Sequence, residues 1–271
     1  FRMRALNYME RRIALVTGAS KGIGKGIALS LLKEGYYVIA NSRNENNLKD
    51  ILSEINELQG GDVSSRIFLF PGDFTSSTFR KKIVEFVIKE FQQLHVLVNN
   101  VPGFPGDNFP SFNVETTLSA FNNKLITYID SMQCFSKLMN DGEHCRIINI
   151  VGNNWKYPSQ TMFSNSSVNA AIANASKNAS FSLGRKGITI NCIHPGFIET
   201  DRFHSFVDHV SSEKSIEVMN VINEIKHSIP ISRIGRVDDI AALTVFLCSK
   251  SAGYITGQQV SVDGGVGDSL F

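Results

Sequence analysis

The chain has 271 residues; 42% are hydrophobic, 19% are charged, and 27 basic against 25 acidic side chains leave a net charge of +2. This composition is that of an ordinary globular protein and excludes collagen, coiled coils and disordered chains. The balanced charge argues against binding to nucleic acid, and no apolar run reaches the ~20 residues that span a membrane, so we expect neither partner.

Short runs rich in valine and isoleucine alternate with longer helical patterns along the chain. The runs predict buried strands at Ile13–Thr17, Tyr37–Ala40, Ile67–Phe70, Val96–Asn99, Ile147–Val151, Ile188–Cys192 and Gln259–Val262. The helical patterns cover roughly Ile23–Lys33, Asn47–Leu58, Phe79–Phe91, Leu118–Met139, Val168–Leu183 and Val237–Leu247. A further helical segment, at about Phe203–His227, lies between the sixth and seventh strands.

This alternation predicts the fold class. Strands that alternate with helices of such length form right-handed βαβ units around a parallel sheet. The sequence therefore predicts a single α/β domain over residues 11–271, with a doubly wound, seven-stranded parallel sheet and helices on both faces. Residues 1–10, which begin at Phe1 rather than methionine, are interpreted as an N-terminal extension.

The cysteines and histidines show no metal-binding spacing. Cys134, Cys145, Cys192 and Cys248 form no Cys-x-x-Cys pair, and no His-Glu-x-x-His motif occurs. We therefore expect free thiols, no metal site and a reducing compartment, which indicates a cytoplasmic protein.

A glycine-rich segment, VTGASKGIGKGIA, follows the first predicted strand and runs directly into a helix. Glycines at positions 18, 22 and 24 permit a sharp turn, close approach of a pyrophosphate and tight packing of helix on strand. The helix N-terminus adds free N–H groups and a positive dipole end. The segment thus predicts a dinucleotide-binding loop. The residues expected to line it are Gly18, Ser20, Lys21, Gly22, Ile23 and Gly24.

The spacing Thr-Gly-x-x-x-Gly-x-Gly resembles that of the short-chain dehydrogenase/reductase family. The further segments that match its motifs are GDFTS (Gly72–Ser76), NN (Asn99–Asn100), INCIHPGFIET (Ile190–Thr200) and SAGYITGQQVSVDGG (Ser251–Gly265). The resemblance extends from about Arg11 to Gly267, and its C-terminal half is most similar to bacterial β-ketoacyl carrier-protein reductases.

The resemblance implies a Rossmann-like oxidoreductase that binds a nicotinamide cofactor. Beyond the glycine loop, the residues implied to contact the cofactor are Asp73, Phe74, Asn99, Pro195, Gly196, Ile198 and Thr200. It also implies a helical lid over the substrate cleft at about 201–231, a segment that begins with Asp201 and Arg202. The segment Gly253–Gly265 is implied to form a two-fold interface in a homotetramer or homodimer.

The end of the second strand bears on which nicotinamide cofactor binds. Relatives that prefer NAD(H) carry an acidic residue there, which would repel a 2′-phosphate. This chain has Ser42 and Arg43 instead, and Lys21 adds a second cation. We therefore predict a preference for NADP(H), with NAD(H) as a second possible cofactor.

The family's four catalytic positions are all substituted. Counting back without gaps from Asn191 places Asn169 at the catalytic lysine, Asn165 at the tyrosine, Gly152 at the serine and Lys124 at the helical asparagine. An amide does not supply a proton at neutral pH, and glycine has no side chain.

Lys124 and Tyr128 are candidates for a replacement proton source. They stand at i and i+4, so a regular helix makes them neighbours. In this hypothesis Lys124 donates the proton, Tyr128 relays it or holds the amine, and Asn165 and Asn169 bind a polar ligand. The alternatives are a solvated or ion-paired lysine and a packing tyrosine.

Three functions follow from these observations. The first is an NADP(H)-dependent oxidoreductase with a non-standard active site that acts on a small carbonyl, enone or imine. The second is a catalytically silent cofactor-binding protein that acts as a sensor or partner subunit. The third is a 3-oxoacyl carrier-protein reductase, which the missing tyrosine opposes. An ionisable Lys124 in the cleft would favour an enzyme; a cleft walled by amides alone would favour a binder.

Overall fold

The computed structural model describes residues 11–57, 64–103, 106–140 and 145–267. One seven-stranded, all-parallel sheet runs through these residues in the order β3-β2-β1-β4-β5-β6-β7. The strands are β1 (Ile13–Val16), β2 (Tyr37–Ser42), β3 (Ile67–Pro71), β4 (Val96–Asn99), β5 (Arg146–Ile150), β6 (Thr189–Pro195) and β7 (Gln259–Val262). The predicted doubly wound parallel sheet is confirmed. The predicted extension 1–10 and the chain's last four residues lie outside the described residues.

Helices cover both faces of the sheet. They are α1 (Gly22–Lys33), α2 (Glu45–Glu57), α3 (Ser77–Glu90), α4 (Val114–Ala120), α5 (Thr127–Ser136), α6 (Phe163–Gly184), α7 (Asp201–Lys214), α8 (Val218–Ser228) and α9 (Val237–Cys248). None of these described helices has the length and apolarity needed to cross a bilayer.

The sheet separates two apolar layers. Along β1, Ala14 and Val16 face a layer shared with α1 and α9, whereas Ile13 and Leu15 face a layer shared with α3 and α5. Successive side chains of a strand point to opposite faces, so a strand covered on both sides reads as a continuous apolar run. This explains why the strands were predictable from valine and isoleucine content alone.

The predicted helix over Leu118–Met139 is wrong in its regularity and its bounds. The helical stretch begins at Val114 and ends at Ser136, and a π-helical turn, Phe121–Ile126, separates α4 from α5. A π turn changes which residues share a helix face, and such turns concentrate at functional sites. Lys124 lies within this turn and its side chain is buried.

The chain order of the sheet reverses between β1 and β4, which lie side by side. In doubly wound sheets the crevice at the carboxyl ends of such strands is where ligands bind. The segments that follow β1, β4, β5 and β6 therefore meet at one place. The helical pair α7–α8 follows β6 and has a small apolar core of its own, centred on Phe203, Val207 and Val221.

Candidate active site

The glycine loop has no room for side chains at two of its positions. A Cβ atom on Gly18, whose φ is +61°, would lie 2.3 Å from the Asn100 carbonyl oxygen. One on Gly24 would lie 2.2 Å from the Gly18 carbonyl oxygen. No side chain caps the N-terminus of α1, and its first turn contains no acidic residue. Its N–H groups and positive dipole end are therefore free for a phosphate, so the loop fits a dinucleotide.

Asn100, rather than the predicted Asn99, is the side chain that meets this loop. The Asn100 amide donates to the carbonyl oxygens of Thr17 and Gly18, each at 3.3 Å, and its main-chain N–H donates to Thr17 Oγ1 at 2.8 Å. Asn99 is fully buried and donates instead to Asn149 Oδ1 at 2.8 Å. Asn99 still lies within β4, which directs its side chain into the core, whereas Asn100 lies just beyond the strand.

The predicted 2′-phosphate site lies at the exposed end of β2. Ser42 Oγ lies 2.7 Å from Ser20 Oγ, and Arg43 is exposed beside them. Lys21 is paired with Asp201, at 3.2 Å between Nζ and Oδ2, and both side chains are more than half exposed. A salt bridge this exposed contributes little and is readily exchanged for another anion.

At the predicted adenine end, Asp73 is exposed, whereas the predicted contact Phe74 has a buried side chain. Asp73 is exposed, and its Oδ1 accepts from the N–H and the hydroxyl of Thr75. Phe74 is 4% exposed and stacks on Phe135 in the core, with ring centroids 6.2 Å apart. Its side chain packs against α5, so only its main chain is available to a ligand.

The Pro-Gly block connects β6 to the glycine loop. A Cβ atom on Gly22 would lie 3.1 Å from the Thr200 methyl group, which places the two predicted cofactor segments in contact. Thr200 Oγ1 also accepts from the Phe203 N–H and caps α7. Of the predicted cofactor contacts, Gly196 has no room for a side chain, since a Cβ there would meet Asp263 at 2.7 Å, and the side chain of Ile198 is buried, so both offer only their main chains to a ligand. Pro195 pairs with Val262 at the end of β6.

Of the four positions predicted to be catalytic substitutions, Lys124 and Asn169 are hydrogen-bonded to each other, and Gly152 lies beside them. Lys124 Nζ donates to the Val151 carbonyl oxygen at 3.0 Å and to Asn169 Oδ1 at 2.8 Å. The Asn169 amide nitrogen donates in turn to Asn154 Oδ1. A Cβ on Gly152 would lie 2.9 Å from that same nitrogen. The Asn169 amide therefore occupies the space that a side chain at position 152 would need.

Lys124 is a buried cation whose charge is disfavoured. Its side chain is 2% exposed, and burial, followed by the charge of Arg202, lowers its pKa from 10.5 to about 7. His194 is also buried, with Nδ1 2.9 Å from the Gly152 carbonyl oxygen, and burial lowers its pKa. An amine in this environment exchanges a proton readily near neutral pH, as an acid catalyst must.

Tyr128 does not have the predicted role of relay. Its hydroxyl donates to the Ile150 carbonyl oxygen at 2.8 Å and accepts from the Val101 N–H at 3.0 Å. The residue is fully buried, and burial raises its pKa. Its single proton is committed to the main chain, and it does not hold the Lys124 amine. Tyr128 instead ties the segment after β4 to the end of β5.

Arg202 and Asn165 meet at Gly103. Arg202 Nη1 lies 3.5 Å from the Gly103 carbonyl oxygen. A Cβ on Gly103 would lie 2.7 Å from Asn165 Oδ1 and 3.2 Å from Arg202 Nη2. Asn165 is 2% exposed on α6, one turn before Asn169. The site thus combines a dinucleotide loop, a buried amine, amide groups and a guanidinium. Among the described residues no cluster of potential metal ligands occurs.

A family model described as Enoyl-(Acyl carrier protein) reductase matches residues 18–267. The chain belongs to the short-chain dehydrogenase/reductase family. The family assignment made from the glycine loop and the Pro-Gly block is thereby confirmed.

Relatives within this family cover nearly the whole chain. The NADPH-dependent reductase BacG of Bacillus subtilis (strain 168) is 42% identical over 257 residues, which are 95% of this chain and 98% of BacG. The 3-oxoacyl-[acyl-carrier-protein] reductase FabG of Staphylococcus aureus (strain Mu50 / ATCC 700699) is 32% identical over 260 residues, 93% of this chain and 97% of FabG. The crystal structure of YwfH, an NADPH dependent reductase involved in bacilysin biosynthesis, superposes with a TM-score of 0.89 at 41% identity, covering 96% of this chain and all of YwfH.

Proposed function

We propose that the protein is an NADP(H)-dependent reductase in which Lys124, rather than a tyrosine, protonates the product of hydride transfer to a small carbonyl, enone or imine. The observation that carries this proposal is the buried Lys124 amine hydrogen-bonded to Asn169. Asn169 is the residue that the sequence count assigns to the family's catalytic lysine. The matched family model is described as an enoyl reductase, and this supports the enone among the three acceptors.

The cofactor assignment rests on the loop and on the end of β2. The glycine loop with Asn100 would hold the pyrophosphate, Asp73 the adenine end, and Ser42 with Arg43 the 2′-phosphate. When bound, the reduced nicotinamide supplies a hydride and is oxidised. The NADPH dependence of BacG and of YwfH supports NADP(H) as the cofactor of this chain.

The hydrogen bonds of Lys124 explain how it gives up a proton. An ammonium has three N–H donors. Among the described residues only Val151 and Asn169 accept from this group, so the third proton is uncommitted. The acceptor gains an electron pair with the hydride and then forms an O–H, N–H or α-carbon C–H bond with that proton. The neutral amine keeps both hydrogen bonds and regains its proton from water.

Two other functions keep some support. A catalytically silent sensor or partner subunit is favoured by the amides at positions 165 and 169, and it predicts that NADPH binds without being consumed. A 3-oxoacyl reductase is favoured by the 32% identity to FabG. A spectroscopic screen of NADPH consumption over ketones, enones, imines and 3-oxoacyl thioesters, with NADPH binding measured in parallel, separates the three.

The region that follows the Pro-Gly block is proposed as the lid of a single domain over 11–271. Its two helices, α7 and α8, form their own small core and are tied to the body through Thr200 and Arg202. The Lys21–Asp201 pair joins the start of α7 to the glycine loop.

The exposed end of β2 gives a prediction on cofactor choice. Arg43→Ala is expected to weaken NADP(H) binding at least roughly tenfold and NAD(H) binding by less than about twofold, because a charge-assisted hydrogen bond to the 2′-phosphate is lost. Isothermal titration calorimetry with both cofactors measures the effect. Arg185→Ala, an exposed arginine at the end of α6, is the matched control. Equal losses for both cofactors would remove Arg43 from the 2′-phosphate site.

The exposed C-terminal segment gives a prediction on assembly. We propose a homodimer or homotetramer that buries the segment Gly253–Gly265, in which the Tyr254 side chain is fully exposed in the isolated chain. Light scattering at micromolar concentration is expected to give two or four times the 30.0 kDa mass of the chain. Tyr254→Asp should shift the mass towards a single chain. A wild-type protein of single-chain mass contradicts the proposal.

A further inference from the structure

Two cations converge on the cleft from different elements. Lys124 reaches it from the π turn, and Arg202 reaches it from the first turn of α7. Arg202 lies beside Asn165 at Gly103, and Asn165 is one helical turn before Asn169, which accepts from Lys124. The charge of Arg202 also lowers the pKa of Lys124. Arg202 is an exposed residue whose guanidinium turns towards the main chain at Gly103, and partial desolvation lowers its pKa.

Neither cation has a carboxylate partner among the described residues. Lys124 donates to a carbonyl and an amide, and Arg202 is within hydrogen-bond distance of the Gly103 carbonyl alone. Two buried arginines elsewhere differ in their partners: Arg80 is bound by Asp130, whereas Arg146 donates to the main-chain carbonyl oxygens of Cys145 and Ser249. A guanidinium and an amine that share a cleft without a counter-ion leave a positive site for an anion.

The gap beside Arg202 is kept open by a glycine. A Cβ on Gly103 would come within 3.2 Å of Arg202 Nη2 and 2.7 Å of Asn165 Oδ1. A larger residue would thus fill the space between the guanidinium and the amide. Gly103 follows β4 on the same side of the sheet as the amide group of α6, so the space adjoins the proposed reaction centre.

We infer that the substrate carries a carboxylate that binds the Arg202 guanidinium while its reducible double bond lies beside Lys124. This inference rests on the proposed function. A guanidinium offers two parallel N–H donors that match a carboxylate. The cofactor phosphates are the other source of an anion, but the proposed function places the pyrophosphate at the N-terminus of α1, which no described side chain caps.

An anion at Arg202 would also assist the chemistry. Arg202 disfavours the charged form of Lys124, and a bound carboxylate offsets that repulsion. Lys124 would therefore become protonated as an acidic substrate enters, which readies the proton before hydride transfer.

Matched acid and uncharged probes test the inference. The pairs are trans-4-oxopent-2-enoate and its methyl ester, 4-oxopentanoate and its methyl ester, and Δ1-pyrroline-2-carboxylate and Δ1-pyrroline. In each pair that the enzyme reduces, the wild-type kcat/KM for NADPH consumption is expected to be about tenfold or more higher with the acid than with its uncharged partner. Arg202→Met should abolish this preference, Arg202→Lys should keep part of it, and Arg185→Met should leave it unchanged.

Binding measurements separate failure of the inference from failure of the proposed function. If NADPH binds but no probe is reduced, the reductase proposal fails, and calorimetric titration of the NADP+ complex with the same probes decides the anion site. If the acid binds more tightly than its uncharged partner and this difference depends on Arg202, the anion site is supported. Equal or absent binding of acid and partner overturns it. A loss of NADPH affinity in Arg202→Met, with no change for the acids, would assign the guanidinium to the cofactor and also overturn it.

Discussion

Lys124→Met is expected to lower kcat for NADPH consumption by about 10²- to 10⁴-fold, the range for removal of a general acid, while NADPH affinity changes by less than about twofold. Methionine fills a similar volume without supplying a proton. Lys124 donates to Val151 and Asn169 and makes no contact with the glycine loop, so cofactor binding should persist. Stopped-flow or steady-state absorbance at the NADPH band, together with a fluorescence titration of NADPH, measures both quantities.

The pH profile distinguishes an acid from a structural lysine. The donor must be an ammonium, so kcat is expected to fall as pH rises above about 7, the pKa of Lys124. Arg202 and His194 are the other titratable groups that act on this site; Arg202 stays charged over this range, and burial lowers the pKa of His194. A fall in kcat that survives in the residual activity of Lys124→Met would assign the titration to another group.

Stability supplies the control for misfolding. Because the folded pKa of Lys124 is depressed, its burial penalty is present in full below about pH 7 and declines as pH rises towards the unfolded value of 10.5. Lys124→Met is therefore expected to unfold at no lower denaturant concentration than wild type at pH 6. Lys137→Met, an exposed lysine at the end of α5, should leave kcat unchanged. Unchanged kcat in Lys124→Met would defeat the proposed mechanism.

Gly18→Ala is expected to reduce the free energy of unfolding by about 2–4 kcal/mol and to abolish measurable NADPH binding. Its φ of +61° disfavours a side chain, and the new methyl group would lie 2.3 Å from the Asn100 carbonyl oxygen. That oxygen belongs to the main chain, which cannot move without displacing the loop. Denaturant unfolding and calorimetric titration of NADPH measure the two effects.

Gly184→Ala is the matched control for this prediction. A Cβ on Gly184 meets nothing within 4 Å, and this glycine ends α6. The variant is expected to bind NADPH as wild type does and to be equally or slightly more stable, because alanine favours a helix. If Gly18→Ala behaves like Gly184→Ala, the loop is not the tight cradle that the dinucleotide site requires.

The sheet and the cofactor loop were predictable because their signals are local. A strand buried on both faces is a continuous run of valine and isoleucine, and the strand–glycine–helix order defines the loop. The direction of single side chains was not predictable at Asn99 and Phe74. There, orientation depends on whether a residue belongs to the strand or lies one position past its end, and periodicity does not fix such ends.

The surroundings of Lys124 show a second limit of prediction from the sequence. Counting by i, i+4 on a regular helix paired Lys124 with Tyr128, but the π turn sends the amine to Asn169 and the phenol to the Ile150 carbonyl oxygen. A π turn is rare, and the apolar periodicity of this segment did not indicate one. The link between Lys124 and Asn169 spans 45 positions and becomes visible only in three dimensions.

The shared space between Gly152 and Asn169 restricts the order in which this site could have changed. A serine restored at position 152 alone would place its Cβ 2.9 Å from the Asn169 amide nitrogen and would have to adopt a φ of +137°. A lysine restored alone at 169 would set a second amine beside Lys124. A serine at 152 is thus obstructed by Asn169, and a lysine at 169 is opposed by Lys124. We therefore expect that the family's usual residues can be introduced at this site only by changing several of these positions together.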